Sequence, residues 1–353
     1  MLTDPATAAS GASAATAAPP PSGRGLRARL DAHRAASRGR PVVRLAALAA
    51  AVLVLVATYL FTDVPGSLAF ALEIRSLSVA AMLVVATSVG VSTVVFHTIT
   101  QNRILTPAIM GFDAFYLLIS TAIVFVAGSA TFLAADALTL WLVQVVVMVA
   151  FSVTLFTWLF GGKRRSIHLM LLVGIVLGTF FRAFTEWMQR MLDPLDFQVL
   201  SDAMFAFLTR PDELLLALTA GLVVLGCAGV VPLLRTLDVL TLGEPAAVGL
   251  GVDHRRVVMV LFGVVSVMVA ASTALVGPIL FFGLIVANLA YSYAGSFRHV
   301  WTLPTAVLIG MVCLLGGQLV LDRVFDFGGT LSTIIEFAGG LFFLYLVLRK
   351  GAR

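Results

Sequence analysis

Charged residues are scarce in this chain, which has 353 residues of which only 12% are Asp, Glu, Lys or Arg. Hydrophobic residues make up 60% of it, and the mean hydropathy is +1.05. A soluble globular domain carries about twice that share of charges. The long apolar runs also lack the ten-residue alternation of a membrane β-barrel. The sequence therefore predicts an all-α integral membrane protein, because helices satisfy their own backbone hydrogen bonds in lipid.

Residues that could form a metal or catalytic site are few and scattered. The two cysteines, Cys227 and Cys313, lie inside apolar runs without CxxC spacing. The five histidines form no HExxH or other ligand pattern, and no GxSxG motif is present. We therefore expect no metal site, no disulfide and no hydrolase centre. The net charge of +5 comes from short loops and a tail beside apolar runs, which disfavours nucleic acid as a partner.

The phosphate-binding motif GxxxxGK[ST] is also missing. The nearest stretch, Gly161-Gly162-Lys163-Arg164, has neither the spacing nor the hydroxyl group. If ATP drives this protein, a separate chain must bind ATP and Mg²⁺ and hydrolyse the nucleotide. We expect no cofactor to be bound by this chain.

Hydropathy predicts about ten membrane helices in residues 42–349. They are expected at 42–61, 77–98, 112–128, 137–160, 167–188, 212–234, 256–276, 279–292, 303–322 and 331–349. Residues 1–41, rich in Arg, Ala and Pro, are predicted to form a disordered cytoplasmic tail. Arginine and lysine fall in alternate loops, whereas the other loops are richer in acid. This places both termini in the cytoplasm of a multi-pass protein of the bacterial cytoplasmic membrane.

Two loops on the predicted cytoplasmic side are too structured for plain connectors. Residues 101–111 carry Pro107 and Gly111 among apolar residues, as a broken or re-entrant segment would. Residues 233–256 form a long polar loop in which Glu244-Pro245 suits a helix start and Gly251 a helix end. A short helix held away from the membrane is predicted to dock a partner.

Several ionisable side chains lie within or at the edge of the predicted spans. They are His97, Asp113, Arg182, Glu186 and Glu336. Because charge is costly in hydrocarbon, each either lines a path or pairs inside the bundle. Arg182 and Glu186, four residues apart, could form a structural pair on one helix face. Glu336 is the strongest candidate for an aqueous cavity, with solvation at the outer membrane surface as the alternative.

The polar loop carries a specific resemblance. Its residues Leu242-Gly243-Glu244-x-x-Ala247-x-x-Leu250-Gly251-Val252, followed by Arg255-Arg256, resemble the coupling segment of FecCD-type permeases. These are membrane subunits of ABC importers for ferric siderophores, haem and vitamin B12. Gly277-Pro278-Ile279 with Phe282-Gly283-Leu284 resembles the family's GPIxFxGL stretch, and Asn102, Pro107 and Gly111 match its N-x-x-x-x-P-x-x-x-G loop. The resemblance covers about residues 42–349.

Departures from the family pattern point to one branch. Ala287-Asn288 replaces the Pro-His after GPIxFxGL, His97 replaces a glutamine, and Gly339-Gly340-Leu341 replaces Gly-Ala-Pro. These departures resemble the branch that imports ferric catecholate-type siderophores.

The resemblance implies a vitamin B12-importer-like fold, with two permease subunits around a central path. A heterodimer is favoured, and a homodimer is the alternative. It also implies cytoplasmic ATP-binding subunits on one face and an extracytoplasmic siderophore-binding protein on the other. Residues implied in ATPase coupling are Leu242, Gly243, Glu244, Ala247, Leu250, Gly251, Val252 and Arg255. Candidates for translocation or gating are His97, Asn102, Pro107, Gly111, Gly277, Pro278 and Glu336.

Arginines on the outer face are expected to meet acidic residues of the binding protein. Arg75 matches the first arginine of the family's RxxR, whereas Ser78 stands at the second, and Arg323 lies in the last outer loop. Interfacial snorkelling is the alternative for both.

A different class of function, an ion-gradient-driven secondary transporter, would use Asp113, Glu186 or Glu336 as a proton or cation relay. Such transporters have inverted repeats, and no convincing internal repeat is present. A structural membrane scaffold, the third alternative, would not need a shaped docking loop.

Overall fold

The computed structural model describes residues 23–62, 67–160, 167–203, 208–209, 211–324 and 330–351, which form helices and no strand. The helices are α1 Gly23–Phe61, α2 Leu68–Thr100, α3 Asp113–Ala134, α4 Ala137–Phe160, α5 Ile167–Gln189, α6 Pro194–Ala203, α7 Glu213–Val230, α8 Leu234–Leu240, α9 Glu244–Gly249, α10 His254–Val276, α11 Phe282–Ala294, α12 His299–Val324 and α13 Leu331–Gly351. A π-helical turn, Ala108–Phe112, precedes α3, and a 3₁₀ turn, Val231–Leu233, precedes α8.

Membrane-spanning helices stand where hydropathy predicts them. Seven spans in the described chain are long and apolar enough to cross a bilayer: α1, α2, α3 with its π-helical turn, α4, α7 continued by α8, α10 and α12. Shorter apolar helices, α11 and α13, and the helix α5 occupy the three remaining predicted positions. The all-α membrane fold is therefore confirmed. The predicted basic loop at 161–166 and Asp326 lie outside the described residues.

The structure differs from the sequence prediction in two places. Helix α1 begins at Gly23, so residues 23–41 are helical rather than disordered, consistent with their many strong helix formers, alanine and arginine. Residues 1–22 lie outside the described part of the chain. Helix α6 was not predicted within 189–211, although Pro194 stands at its first position, where proline is favoured. The Asp196 carboxylate accepts a hydrogen bond from Ser129 N of α3 at 3.3 Å.

Small residues let the central helices approach closely. Helix α2 packs against α10 and α12 and is buried over most of its length. A Cβ atom at Gly90 would lie 3.3 Å from the carbonyl carbon of Ala306, and one at Gly310 would lie 3.0 Å from the Ala86 Cβ. Ser88 Oγ donates to Met268 O of α10 at 2.7 Å. This packing is typical of membrane helices, where close contact replaces the hydrophobic effect.

Candidate functional site

The coupling segment, residues 242–252, contains the predicted short helix. Gly243 has φ 92°, a conformation favoured by glycine, and α9 then begins with Glu244 and Pro245 in its first turn. Gly251, with φ 83°, ends the segment. Ala247 is fully buried, and Val252 N donates to Ala247 O at 3.0 Å. The helix start and end predicted from the sequence are both confirmed.

Apolar side chains of this segment face outward. Leu242, Val248 and Leu250 are 64%, 56% and 63% exposed. Glu244 beside them is exposed too, with Oε1 4.0 Å from His254 Nδ1. The segment lies between two spans, the one formed by α7 and α8 and the one formed by α10, rather than within a span. Large apolar side chains exposed together on a short segment outside the spans favour contact with another protein.

The end of the coupling segment joins directly to a membrane helix. Asp253 accepts a hydrogen bond from Arg256 N at 3.2 Å and so caps α10. Arg255, in the first turn of α10, is exposed. A displacement of α9 would therefore act on α10 through only a few residues.

A second connection, which we call the histidine linkage, consists of Asp238, His299 and Thr98. His299 donates to Asp238 Oδ1 from its backbone N at 2.9 Å and from Nδ1 at 2.7 Å. His299 Nε2 lies 2.8 Å from Thr98 Oγ1. Both His299 and Thr98 are buried. The linkage ties α8, which precedes the coupling segment, to α12 and α2.

Gln101 reinforces the same connection from the end of α2. Its φ of 52° is the only positive value at a non-glycine residue in the described chain. Its side-chain Nε2 donates to Thr98 O at 2.7 Å and to Leu240 O at 2.8 Å. The last turn of α8 is thus held against α2 immediately before the coupling segment begins.

The broken segment between α2 and α3 is confirmed. Asn102 Oδ1 accepts from Ile104 N at 2.9 Å, and Pro107 stands at the start of the π-helical turn. Gly111 has φ 105°, and a Cβ atom there would lie 3.0 Å from Gly178 Cα of α5. Glycine is favoured here because the position has a positive φ and leaves no room for a Cβ atom. Gly111 therefore allows the broken segment to pack directly against α5.

A second break separates α10 from α11. Gly277, with φ 88°, donates from its N to Thr273 O at 2.8 Å and ends α10. Pro278 lies in the extended connection before α11 begins at Phe282. The Gly-Pro pair therefore divides two helices, as the predicted helices at 256–276 and 279–292 require.

The two breaks meet at a small cavity. Its volume is about 30 Å³, and its lining includes Pro107, Asp113 and Gly277 together with threonine hydroxyls from α2 and α10. Asp113 is buried, and its Oδ2 has no hydrogen-bond partner among the described residues. The structure thus brings together gating candidates about 170 residues apart in the chain.

The remaining intramembrane charges are arranged around Arg182. This arginine lies within electrostatic range of both Asp113 and Glu336. Glu336 is exposed on α13 and accepts a hydrogen bond from Leu280 N. The ion pairs of the described residues do not include one between Arg182 and Glu186, so the same-helix pair suggested from the sequence is not supported.

His97 stands apart from the breaks. It is buried near the C-terminal end of α2, with Nδ1 3.4 Å from the hydroxyl of Tyr291. It therefore belongs with the coupling elements rather than with the small cavity.

On the opposite face, the two arginines predicted to dock a binding protein meet at the end of α1. Arg75 Nη1 donates to Tyr59 O at 2.8 Å and to Thr62 O at 2.7 Å. Arg323 donates to the hydroxyl of Thr62. The carbonyl groups at a helix C-terminus favour cations. Both side chains thus have a structural partner in this chain, and docking stays a prediction.

Within the described residues, no group of three or more His, Cys, Asp or Glu side chains is placed to hold a metal ion. Asp238, His299 and Gln101 were not predicted as functional residues. No local pattern marks them, because Asp238 and Thr98 lie 61 and 201 residues from His299.

Comparison with known proteins agrees with this arrangement. The petrobactin import system permease protein YclO of Bacillus subtilis (strain 168) is 40% identical over 311 residues, which cover 88% of this chain and 98% of YclO. The petrobactin import system permease protein FatC of Bacillus anthracis is 34% identical over 278 residues, covering 79% and 78%. A chain of a metal-chelate type ABC transporter, solved in an inward-facing conformation, shares the fold, with a TM-score of 0.76, 19% identity and coverage of 87% and 99%. The FecCD transport family model matches residues 45–349, and the chain therefore belongs to the FecCD transport family.

Proposed function

We propose that this permease moves a ferric siderophore inward across the cytoplasmic membrane, as a subunit of an ATP-driven importer that works by alternating access. Support for the cargo comes from YclO and FatC, which are named for petrobactin import. Iron enters as part of its chelate, so the permease needs no metal ligands of its own. The iron is cargo and is never held by this chain.

The observation that carries the proposal is the exposed apolar surface of the coupling segment. Leu242, Val248 and Leu250 lie on a short helix outside the spans, next to the exposed Glu244. A cytoplasmic ATPase dimer that binds ATP and Mg²⁺ would receive this helix in a surface groove. Closure of the ATPase dimer would then displace α9 relative to the membrane helices.

The histidine linkage and Gln101 would pass that displacement to α2 and α12. Since α2 packs against both α10 and α12, movement would reach the breaks at Gly111 and Gly277. A glycine at the end of a helix absorbs backbone rotation at low cost. The transporter would have two states, one open to each side of the membrane. ATP and cargo are coupled because each makes different contacts with the protein in the two states.

A second permease subunit would complete the path. Arg182 and Glu336 are exposed on membrane helices, and charged side chains do not face lipid without large cost. We expect these residues to face an aqueous path shared with the partner. We favour a related but different permease over a second copy as this subunit, and we propose that both termini lie in the cytoplasm.

The arginines at the end of α1 are proposed to contact the siderophore-binding protein. Arg323 is exposed, its guanidinium donates to the Thr62 hydroxyl at the end of α1, and Asp322 lies within its electrostatic range. We expect Arg323→Gln to weaken activation by the binding protein about threefold to tenfold, since charge across an interface steers association. The measurement is ATPase rate against binding-protein concentration. Arg323→Lys, which keeps the charge, is the control, and equal effects of both variants would assign Arg323 a structural role only.

Co-purification tests the proposed function most directly. The tagged permease is extracted in mild detergent, and mass spectrometry identifies the chains that accompany it. We expect an ATP-hydrolysing subunit and a second permease, and reconstituted vesicles should take up ferric petrobactin only with ATP and the binding protein. Uptake that follows a proton gradient, with no ATPase present, would instead establish the secondary transporter.

A further inference from the structure

A second and much larger cavity lies at the cytoplasmic end of the molecule, and the coupling mechanism above does not use its interior. Its volume is about 670 Å³, within the range of sites that hold small organic ligands. The walls come from the ends of α2 and α11, the start of α12 and the turn before α9. Leu242 of the coupling segment and His299 of the histidine linkage are both part of the lining.

The chemistry of the lining favours an anion. Arg103 contributes a cationic group and His97 a potentially cationic one, and none of the described lining residues is Asp or Glu. His299 is also part of the lining, but both of its ring nitrogens are already bound, to Asp238 and Thr98. The nearby Asp238 is already bound to His299 and lies 4.0 Å from Arg298 Nε. Hydroxyl groups of threonine, serine and tyrosine supply further donors.

Arg103 is held in place before any ligand arrives. Its guanidinium carbon lies 4.6 Å from the centre of the Tyr291 ring, a cation–π contact. Its backbone O accepts from Asn288 Nδ2 at 3.0 Å. Both the backbone and the guanidinium group of Arg103 are therefore held in place. Such a guanidinium group can donate hydrogen bonds to a carboxylate or phosphate with little further loss of side-chain conformational entropy.

We propose that this cavity is a cytoplasmic anion site, and that a bound carboxylate- or phosphate-bearing anion slows the transport cycle. The proposal rests on the proposed function, because the readout requires the ATPase. An anion held by Arg103 would contact the turn that carries Leu242 and the ends of α2, α11 and α12 at once. A ligand that binds one arrangement of these walls better than another shifts the population toward it.

Two sources could supply such an anion, a soluble metabolite or the headgroup of an anionic lipid. The test uses the whole transporter in nanodiscs of neutral phosphatidylcholine, at fixed free Mg²⁺, with citrate as the soluble probe. A parallel preparation contains phosphatidylglycerol and no citrate. ATPase rate is measured for the unmodified protein, Arg103→Gln and the control Arg235→Gln, which removes the same charge from an exposed position outside the cavity lining and the coupling segment.

We expect citrate to slow ATP hydrolysis, and Arg103→Gln to raise the half-inhibitory concentration about tenfold, whereas Arg235→Gln leaves it unchanged. Inhibition by phosphatidylglycerol alone, relieved by Arg103→Gln, would also support the site and assign the anion to lipid. The proposal is overturned if both variants respond like the unmodified protein. It is also overturned if Arg103→Gln only reduces ATPase binding, which would assign the cavity to the ATPase.

The same preparation separates this proposal from the proposed function. If no ATPase associates with the unmodified permease, the proposed function fails before any anion is added. If the ATPase associates and hydrolyses ATP normally, an absent effect of Arg103→Gln counts against the anion site alone.

Discussion

Glu244→Arg is expected to remove the ATPase from the purified complex and to abolish ATP-driven uptake. The side chain is exposed in the first turn of α9, beside Leu242 and Val248, so a reversed charge would stand at the centre of the proposed contact. Like charges or an unpaired charge across an interface cost several kcal/mol. We expect co-purified ATPase to fall about tenfold or more, with normal amounts of permease in the membrane.

Glu213→Arg is the matched control for this experiment. Glu213 is exposed in the first turn of α7, as Glu244 is in α9, so both substitutions place a cation at the positive end of a helix. Glu213 begins the span Glu213–Leu240, whereas Glu244 follows its other end. Equal loss of ATPase from both variants would point to a general effect on folding, and retention of the ATPase by Glu244→Arg would contradict the proposed docking surface.

Features set by neighbouring residues could be predicted from the sequence. Apolar length alone placed the spans, and Glu244-Pro245 with Gly251 was sufficient to predict α9. Pro107 and Gly111 similarly marked the break before α3. In each case the physical cause lies within a few residues, such as a fixed φ or a positive φ.

Features set by distant contacts could not be predicted. The partners of His299 are Asp238 of α8 and Thr98 of α2, which are far from it in the sequence. The residues next to a buried histidine do not indicate which distant side chains it will contact. For Arg182 the sequence suggested the wrong partner. Helical spacing favoured an ion pair with Glu186, whereas Arg182 lies within electrostatic range of Asp113 and Glu336 on other helices. Side chains in a membrane bundle find partners through packing, which sequence spacing does not report.

Substitution of His299 is expected to uncouple ATP hydrolysis from transport while leaving the complex assembled. The ring is buried between Asp238 and Thr98, so its loss would remove the hydrogen bonds by which the side chain connects these two residues, one of them to a carboxylate. The loss of such hydrogen bonds costs about 1–3 kcal/mol of interaction free energy. The contact between α8 and the membrane helices α2 and α12 would be weakened by that amount. We expect uptake per ATP hydrolysed to fall about tenfold, with ATPase binding unchanged because α9 itself is intact.

Two conservative variants separate the contacts of the ring. In His299→Asn the amide can still donate to Asp238, whereas in His299→Gln the longer side chain can still reach Thr98. Both variants keep the backbone hydrogen bond from residue 299 to Asp238, so they test only the two contacts of the ring. If the ring transmits movement, each variant should uncouple, since each removes one of its two contacts. Thr305→Val is the control, because Thr305 is also buried on α12 but bonds only within its own helix, to Trp301 O at 2.7 Å. Unchanged uptake per ATP in both His299 variants would show that displacement of α9 reaches the membrane helices by another route, of which the direct connection through Asp253 into α10 is the shortest.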